Sequence, residues 1–529
     1  MSELLFELPL RSASRAAGSP CLVFKGRTLD YGGFAGELER FACALIHLGL
    51  GKLERVAVYL PKQPENVLAM FGTARAGCVF VPINPLLKPA QIAHIMRDCS
   101  IRALVTSPER AAGLEQTLAE CPDLKHLVLV GATADPTPVA HLAVHRWEAL
   151  LQQTHNAALY RTIDTDVLSI FYTSGSTGKP KGVVLSHRNM VTGAHSVAQY
   201  LENVSTDRLL AVLPFSFDYG FSQLSTAFSV GAAVVLMDYL LPKDVINQVA
   251  KESITGLAGV PPLWGQLAEL EWPAAAKSNL RYITNSGGAM PLATLRRLRA
   301  SLPNTRPFLM YGLTEAFRST YLPPEEVDRR PDSIGKAIPN AEILVVRPDG
   351  TPCDANEPGE LVHRGSLVAL GYWNDPVKTA ERYKPVPGQD PALVLTELAV
   401  WSGGTVRRDE EGFLYFIGRR DEMIKTSGYR VSPTEVEEVI YATRMVTDAV
   451  AVGIPHPTLG QAIVIVAAAA AGTEPDSARL LEECRKKLPL FMVPADIVWW
   501  ESLPRNPNGK FDRPRIAADI RAHFESSSA

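Results

Sequence analysis

The chain has 529 residues, 46% hydrophobic and 21% charged, with 53 Lys+Arg against 56 Asp+Glu for a formal charge of −3. This composition excludes a mostly disordered chain, and the charge balance gives no basic field to recommend nucleic acid as a partner. At about 150 residues per domain, the length predicts three or four units.

Met1–Arg11 carries acids before its first base, the reverse of a secretory leader. The longest apolar run, Ala462–Gly472, is well short of the ~20 residues that span a bilayer. A soluble, cytoplasmic protein without a membrane span is expected. The seven cysteines are widely spaced and lack a C-x-x-C pair, so neither zinc nor a disulfide framework is predicted. Cys43 and Cys78 lie in apolar contexts that predict small core residues.

Elements follow in chain order. Arg55–Leu60 predicts a buried strand, Gln63–Gly77 a helix and Cys78–Ile83 a strand. Lys88–Cys99 predicts a helix with Ile92, Ile95 and Met96 on one face, and Arg102–Thr106 and Leu127–Val130 predict further strands. The alternation continues through Val167–Phe171, Arg208–Leu213, Ala232–Met237, Arg281–Asn285 and Pro307–Met310, with helices at Asp244–Glu252 and Leu292–Ala300. Such alternation argues for parallel sheets covered on both faces.

After about Asn340 the texture changes to short strands (Ile343–Val346, Gly359–His363, Phe413–Gly418) among turn residues. The tail from Asp421 predicts helices at Thr434–Thr443 and Ala478–Leu488 and strands at Asp448–Ile454, Ala462–Ala468 and Ile497–Trp500. That suits a small α+β domain.

Chemistry concentrates in Tyr172-Thr-Ser-Gly-Ser-Thr-Gly-Lys-Pro-Lys-Gly182, directly after a predicted strand. Glycines allow close backbone approach, hydroxyls donate to oxyanions, and Lys179 and Lys181 add charge, so this is a phosphate-handling loop by composition. It is not a Walker A loop, because Pro180 stands where Ser or Thr must follow the lysine. Further motifs follow in order: Ser286-Gly-Gly-Ala289, Tyr311-Gly-Leu-Thr-Glu-Ala316, Gly359-Glu-Leu, Gly371-Tyr-Trp373, Gly418-Arg-Arg-Asp421, Ile424-Lys-Thr-Ser-Gly-Tyr-Arg430 and Pro507-Asn-Gly-Lys510.

This ordered set resembles the acyl-adenylate-forming enzymes over nearly the whole chain. The closest texture, in KTSGYRVSPTEVEEV and GELVHRGSLVALGYWNDP, resembles the AMP-forming acyl-CoA ligases associated with the exosortase A system. The resemblance implies an α/β fold with a large N-terminal domain (1–420) of stacked, mostly parallel sheets plus a small β-rich subdomain. A small mobile α+β domain (421–529) would carry the catalytic lysine.

The implied activity is ATP-dependent: a carboxylate becomes an acyl-adenylate with loss of pyrophosphate, and the acyl group then passes to the thiol of CoA or of a carrier protein's phosphopantetheine. By the same resemblance Lys510 and Thr314 are catalytic, and Glu315 holds Mg²⁺. Thr173, Ser174, Gly175, Ser176, Thr177, Gly178 and Lys179 grip phosphate. Tyr311 and Gly312 take the adenine side, edged by Gly287, Gly288 and Ala289. Arg419 and Arg430 contact ribose and phosphate, Asp421 is the hinge, and Gly428 borders the thiol tunnel.

Two departures stand out. Trp401-Ser-Gly-Gly404 puts Gly404 where the family has the aspartate that takes the ribose hydroxyls. A catalytically weakened nucleotide- or acyl-binding protein is therefore one alternative. Pro214-Phe-Ser-Phe-Asp-Tyr-Gly220 resembles amino-acid adenylation domains, whose Asp pairs with the substrate's ammonium. An amino-acid-activating ligase serving a carrier protein is the other alternative, with Asp218 and Tyr219 as substrate residues. Asp218 could instead cap the following helix.

Overall fold

The computed structural model describes residues 3–133, 141–152, 157–173, 180–419, 423–470, 472–504 and 511–527, excepting the side chains of Arg419, Thr434 and 523–527. The described residues form a mixed α/β fold of three sheets. The largest begins with the hairpin Pro20–Phe24/Arg27–Asp30. It continues through parallel strands Ala233–Leu236, Arg208–Ala211, Gly256–Gly259, Tyr282–Asn285 and Arg306–Tyr311. The second, eight-stranded, contains Arg55–Tyr59, Val79–Pro82, Ala103–Thr106 and His126–Leu129 in parallel. Val167–Thr173 and Lys181–Ser186 form an antiparallel hairpin in this sheet.

The β-rich subdomain shares its sheet with the parallel strands. Thr320–Leu322 and Ser333–Ala337 continue the first sheet in antiparallel pairing, and Leu414–Arg419 joins them to Leu398–Arg408, Gly359–Gly365 and Ala341–Val346. The backbone ladder is therefore shared, and the change in texture marks a switch from parallel to antiparallel pairing.

One apolar cluster joins the two large sheets through the helices Tyr31–His47, Pro64–Arg75 and Asp218–Val230. Its centre is aromatic. Phe34, Phe71, Phe80, Phe171, Phe221 and Phe228 are fully buried, with neighbouring centroids from 5.1 Å to 6.2 Å. Edge-to-face contacts of this kind add to the area term.

The C-terminal five-stranded sheet has its own cores. Helices Pro433–Ala442 and Ser477–Lys487 supply Val436, Ile440, Leu480 and Cys484 to one cluster. Arg513–Ser527 supplies Ile516 and Ile520 to another. All seven cysteines are free thiols; Cys78 is buried, but Cys43 is only half-buried. Among the described residues no helix is long and apolar enough to cross a membrane.

Candidate active site

Three strand ends of the large domain and one hairpin of the small domain meet around a cavity. Thr173 ends its strand opposite Lys181, and Tyr282–Asn285 runs into Ser286-Gly287. Arg306–Tyr311 runs into Gly312-Leu313-Thr314-Glu315. Thr173, Gly287, Gly312, Thr314 and Glu315 line the cavity. Ligand crevices at the carboxyl ends of α/β strands are the general case.

Glu315 is 2% exposed yet ionised. Its Oε1 accepts a 2.6 Å hydrogen bond from Tyr372 Oη and lies 3.8 Å from Lys181 Nζ. Lys181 Nζ in turn donates to Tyr372 Oη at 2.9 Å and sits over its ring. Burial alone would raise the carboxyl, but Lys181, Arg382, Arg430 and the Tyr372 hydroxyl hold it down at about 2. Backbone pairing explains why these motifs meet. Gly371–Tyr372 adds to Lys181–Ser186 with Tyr372 opposite Val183, and Ala369 N donates to Glu315 O at 2.9 Å. Sequence reasoning does not single out Tyr372 or Arg382 as site residues; the Gly-Tyr-Trp motif is visible, but not its partner.

Asp218 does not cap its helix. Phe217 holds that position and Asp218 is the first helical residue, 5% exposed, on the cavity wall. It accepts from Thr314 Oγ1 at 3.2 Å. Burial raises its carboxyl, while the positive charge of Arg318 works against that rise. Tyr219 is 2% exposed and pairs through its hydroxyl with Thr284 Oγ1 at 2.6 Å. Arg318, which no sequence motif points to, follows a strained turn: Phe317 has φ 56° and ψ −61°, and Arg318 N donates to Ala316 O at 2.6 Å. A positive-φ γ-turn at a non-glycine residue costs about 1–3 kcal/mol and clusters at functional sites.

The small domain contributes the hairpin Ile424–Thr426/Tyr429–Val431. Ser427 and Gly428 both have positive φ, as the tight two-residue turn requires. A Cβ on Gly428 would lie 3.0 Å from Val260 Cγ1, and its positive φ favours glycine, so the turn packs closely on Val260. Arg430 lines the same cavity.

Other expected residues are placed differently. Tyr311 is 8% exposed, packs on Phe416 at 5.8 Å and lies beside the cavity rather than on its wall. Gly288 is occupied locally, its carbonyl accepting from Asn285 Nδ2 at 2.9 Å, and Ala289 is exposed. Gly404 lies opposite Arg419 in the sheet, facing Tyr311. Ser174–Lys179, Asp421 and Lys510 lie outside the described residues, as does the Arg419 side chain. Among the described residues, no cluster of three His, Cys, Asp or Glu forms a preformed metal site.

The AMP-binding enzyme model matches residues 10–373, and the AMP-binding enzyme C-terminal domain matches residues 435–510. The chain is 30% identical to a linear gramicidin synthase polypeptide of Brevibacillus parabrevis over 96% of its own length, but spans only 6% of that protein. It is 31% identical to the L-proline–[L-prolyl-carrier protein] ligase of Streptomyces coelicolor, covering 97% of this chain and 96% of the relative. It is 28% identical to the long-chain-fatty-acid–CoA ligase of Salmonella typhimurium, covering 99% and 96%. In fold it is similar to the amide bond synthetase McbA of Marinactinospora thermotolerans, with TM-score 0.85, 22% identity and coverage of 98% and 100%. The chain belongs to the AMP-binding enzyme family.

Proposed function

We propose that the chain is an ATP-dependent acid–thiol ligase. The observation that carries this reading is the buried, ionised Glu315 held by Lys181, Tyr372, Arg382 and Arg430 beside Thr314. A site of fixed positive charge around one hard carboxylate suits a reaction in which two anions meet.

In the first step a substrate carboxylate oxygen attacks the α-phosphorus of ATP. The bond to the bridging oxygen breaks and pyrophosphate leaves. Thr314 contacts the α-phosphate, Thr173 and Ser174–Lys179 grip the outer phosphates, and Lys510 offsets charge between carboxylate and α-phosphate. Glu315, an ionised oxygen donor, would hold Mg²⁺. The ion would supply neutralisation of phosphate charge there.

In the second step a thiolate attacks the acyl carbon and AMP leaves. Gly428, at a turn with no side chain, borders the path of the thioester arm. Asp421 is the hinge between 1–420 and 421–529. Tyr311, Gly312 and Gly287 form the adenine side, and Arg419 and Arg430 face ribose and phosphate. The thiol is that of CoA or a carrier protein, and the reaction belongs in the cytoplasm.

Two features support narrower readings. Asp218, buried on the cavity wall, favours an amino-acid substrate. Gly404 favours weakened ATP binding. Acid-dependent pyrophosphate release, followed over a panel of fatty, aryl and amino acids, tests the main reading. Release with at least one acid, with a thioester on adding CoA, is expected. No release from any acid while calorimetry shows ATP bound would overturn it.

A further inference from the structure

One buried cation faces the cavity beside the residues assigned to the acid. Arg318 is 2% exposed and lines the cavity with Asp218 and Ser286. Its Nη1 donates to Ser286 Oγ at 3.1 Å, and its guanidinium lies over the Tyr219 ring at 4.6 Å. Its Nε and Nη2 have no hydrogen-bond partner among the described residues. These two N–H groups form the edge that matches the two oxygens of a carboxylate. Buried donors left unpaired are uncommon, and each needs an explanation.

The local backbone is built around this placement. The strained turn at Phe317 directs the chain, and the fully buried Phe317 ring is seated in a notch of helix His187–Tyr200 that exists because residue 193 is glycine. The cations acting on Glu315 are Lys181, Arg382 and Arg430, whereas Arg318 acts on Asp218. Arg318 therefore sits with Tyr219 and Asp218, the two residues assigned to the acid.

We propose that Arg318 is a specificity-determining residue of the acid site, and that the acid it selects carries a second carboxylate gripped by the Nε/Nη2 edge. The inference rests on the ligase reading and names its substrate class. A neutral acyl tail would leave both N–H groups desolvated and unpaired. A site built to bond a polar group discriminates strongly against an analogue lacking it.

The test uses two sets of four acids of equal carbon number: butyrate, L-2-aminobutyrate, succinate and L-aspartate, then pentanoate, L-norvaline, glutarate and L-glutamate. Within a set, the members differ only by an ammonium, a second carboxylate or both. ATP–pyrophosphate exchange on the native protein gives kcat/KM for each. In at least one set, the second carboxylate raises kcat/KM by about tenfold or more at fixed ammonium status. Arg318→Lys keeps the charge but loses the fork. It removes most of that preference, chiefly through KM, so that the dicarboxylates fall toward the monocarboxylates.

Equal or better use of the monocarboxylates by the native protein would overturn the proposal and return Arg318 to being only the counter-charge of Asp218. Calorimetry of the same acids separates the two readings. If neither these acids nor the fatty, aryl and amino-acid panel supports exchange while ATP is bound, the ligase reading fails. Binding of glutarate or succinate that weakens about tenfold in Arg318→Lys still upholds the anion site, and absence of such binding overturns it.

Discussion

Gly404 leaves room for a side chain beside Tyr311. A Cβ there would sit 3.2 Å from Phe416 Cε2, 3.3 Å from Ser402 Oγ and 3.5 Å from Tyr311 Oη, close contacts that small shifts relieve. The ribose diol can give two hydrogen bonds to one carboxylate, worth about 1.5–3 kcal/mol together after water replaces part of the loss. Gly404→Asp should therefore tighten ATP roughly 10- to 100-fold by calorimetry. The gain should vanish with 2′,3′-dideoxy-ATP. An equal gain with both nucleotides would mean that the carboxylate acts on Tyr311, whose buried hydroxyl has no partner among the described residues.

Asp218 gives a second prediction at this scale. If it holds an ammonium, Asp218→Ala should cut kcat/KM for L-2-aminobutyrate or L-norvaline by at least about tenfold. The same change should spare the matching plain acids. Strong native activity on fatty acids would return Asp218 to a structural role. Glu315 is legible in the sequence because its motif is short and ordered. Arg318, Arg382 and Tyr372 as a partner of Glu315 are not, because their roles come from contacts 57 positions apart or from a backbone turn that composition does not announce.

At the scale of elements, the amphipathic helices and central strands are readable from periodicity. Pro89–Asp98 buries Ile92, Ile95 and Met96, the face expected from the sequence. The helices Asp218–Val230 and His187–Tyr200 are not readable in this way. The first buries every residue from Asp218 to Phe228, so it has no polar face to set a 3.6-residue rhythm. The second buries Asn189, Ser196 and His187 among its apolar residues, so its apolar pattern is broken. Ser186 and Asn189 cap it reciprocally, with Asn189 N donating to Ser186 Oγ at 3.2 Å and Ser186 N to Asn189 Oδ1 at 2.8 Å.

This second helix carries the Gly193 notch. A Cβ there would lie 2.3 Å from Phe317 Cδ1, in a ring with no exposed surface and nowhere to retreat. Gly193→Ala should destabilise the protein by about 1–3 kcal/mol, lower the thermal midpoint and raise KM for the preferred acid through the displaced Phe317 turn. An unchanged midpoint and KM would show that the turn does not depend on this contact.

Across the whole molecule, the two domains meet through a titratable contact. Gln91 Nε2, on helix Pro89–Asp98, donates to Glu435 Oε1 of the small domain at 2.7 Å. Burial raises the Glu435 carboxyl from 4.5 to about 7, and the Gln91 bond offsets only part of that. A raised carboxyl favours the assembled state when protonated. Its contribution is fully present below pH 4.5 and is lost as pH rises through about 7. The loss amounts to about 3 kcal/mol. The contact between the domains should loosen over this window, seen as a falling thermal midpoint or greater proteolysis between the two domains. Glu435→Gln should flatten the dependence; a native profile already flat from pH 4.5 to 7 would contradict it.

The central claim is that one chain runs two successive reactions on one acid, with Lys510 serving only the first. The most direct measurement compares acid-dependent ATP–pyrophosphate exchange with thioester formation from a supplied acyl-adenylate, in the native protein and in Lys510→Ala. The account predicts that Lys510→Ala loses exchange by at least about a hundredfold while retaining most thioester formation. Equal losses in both reactions, or no acid-dependent exchange by a native protein that binds ATP, would contradict it.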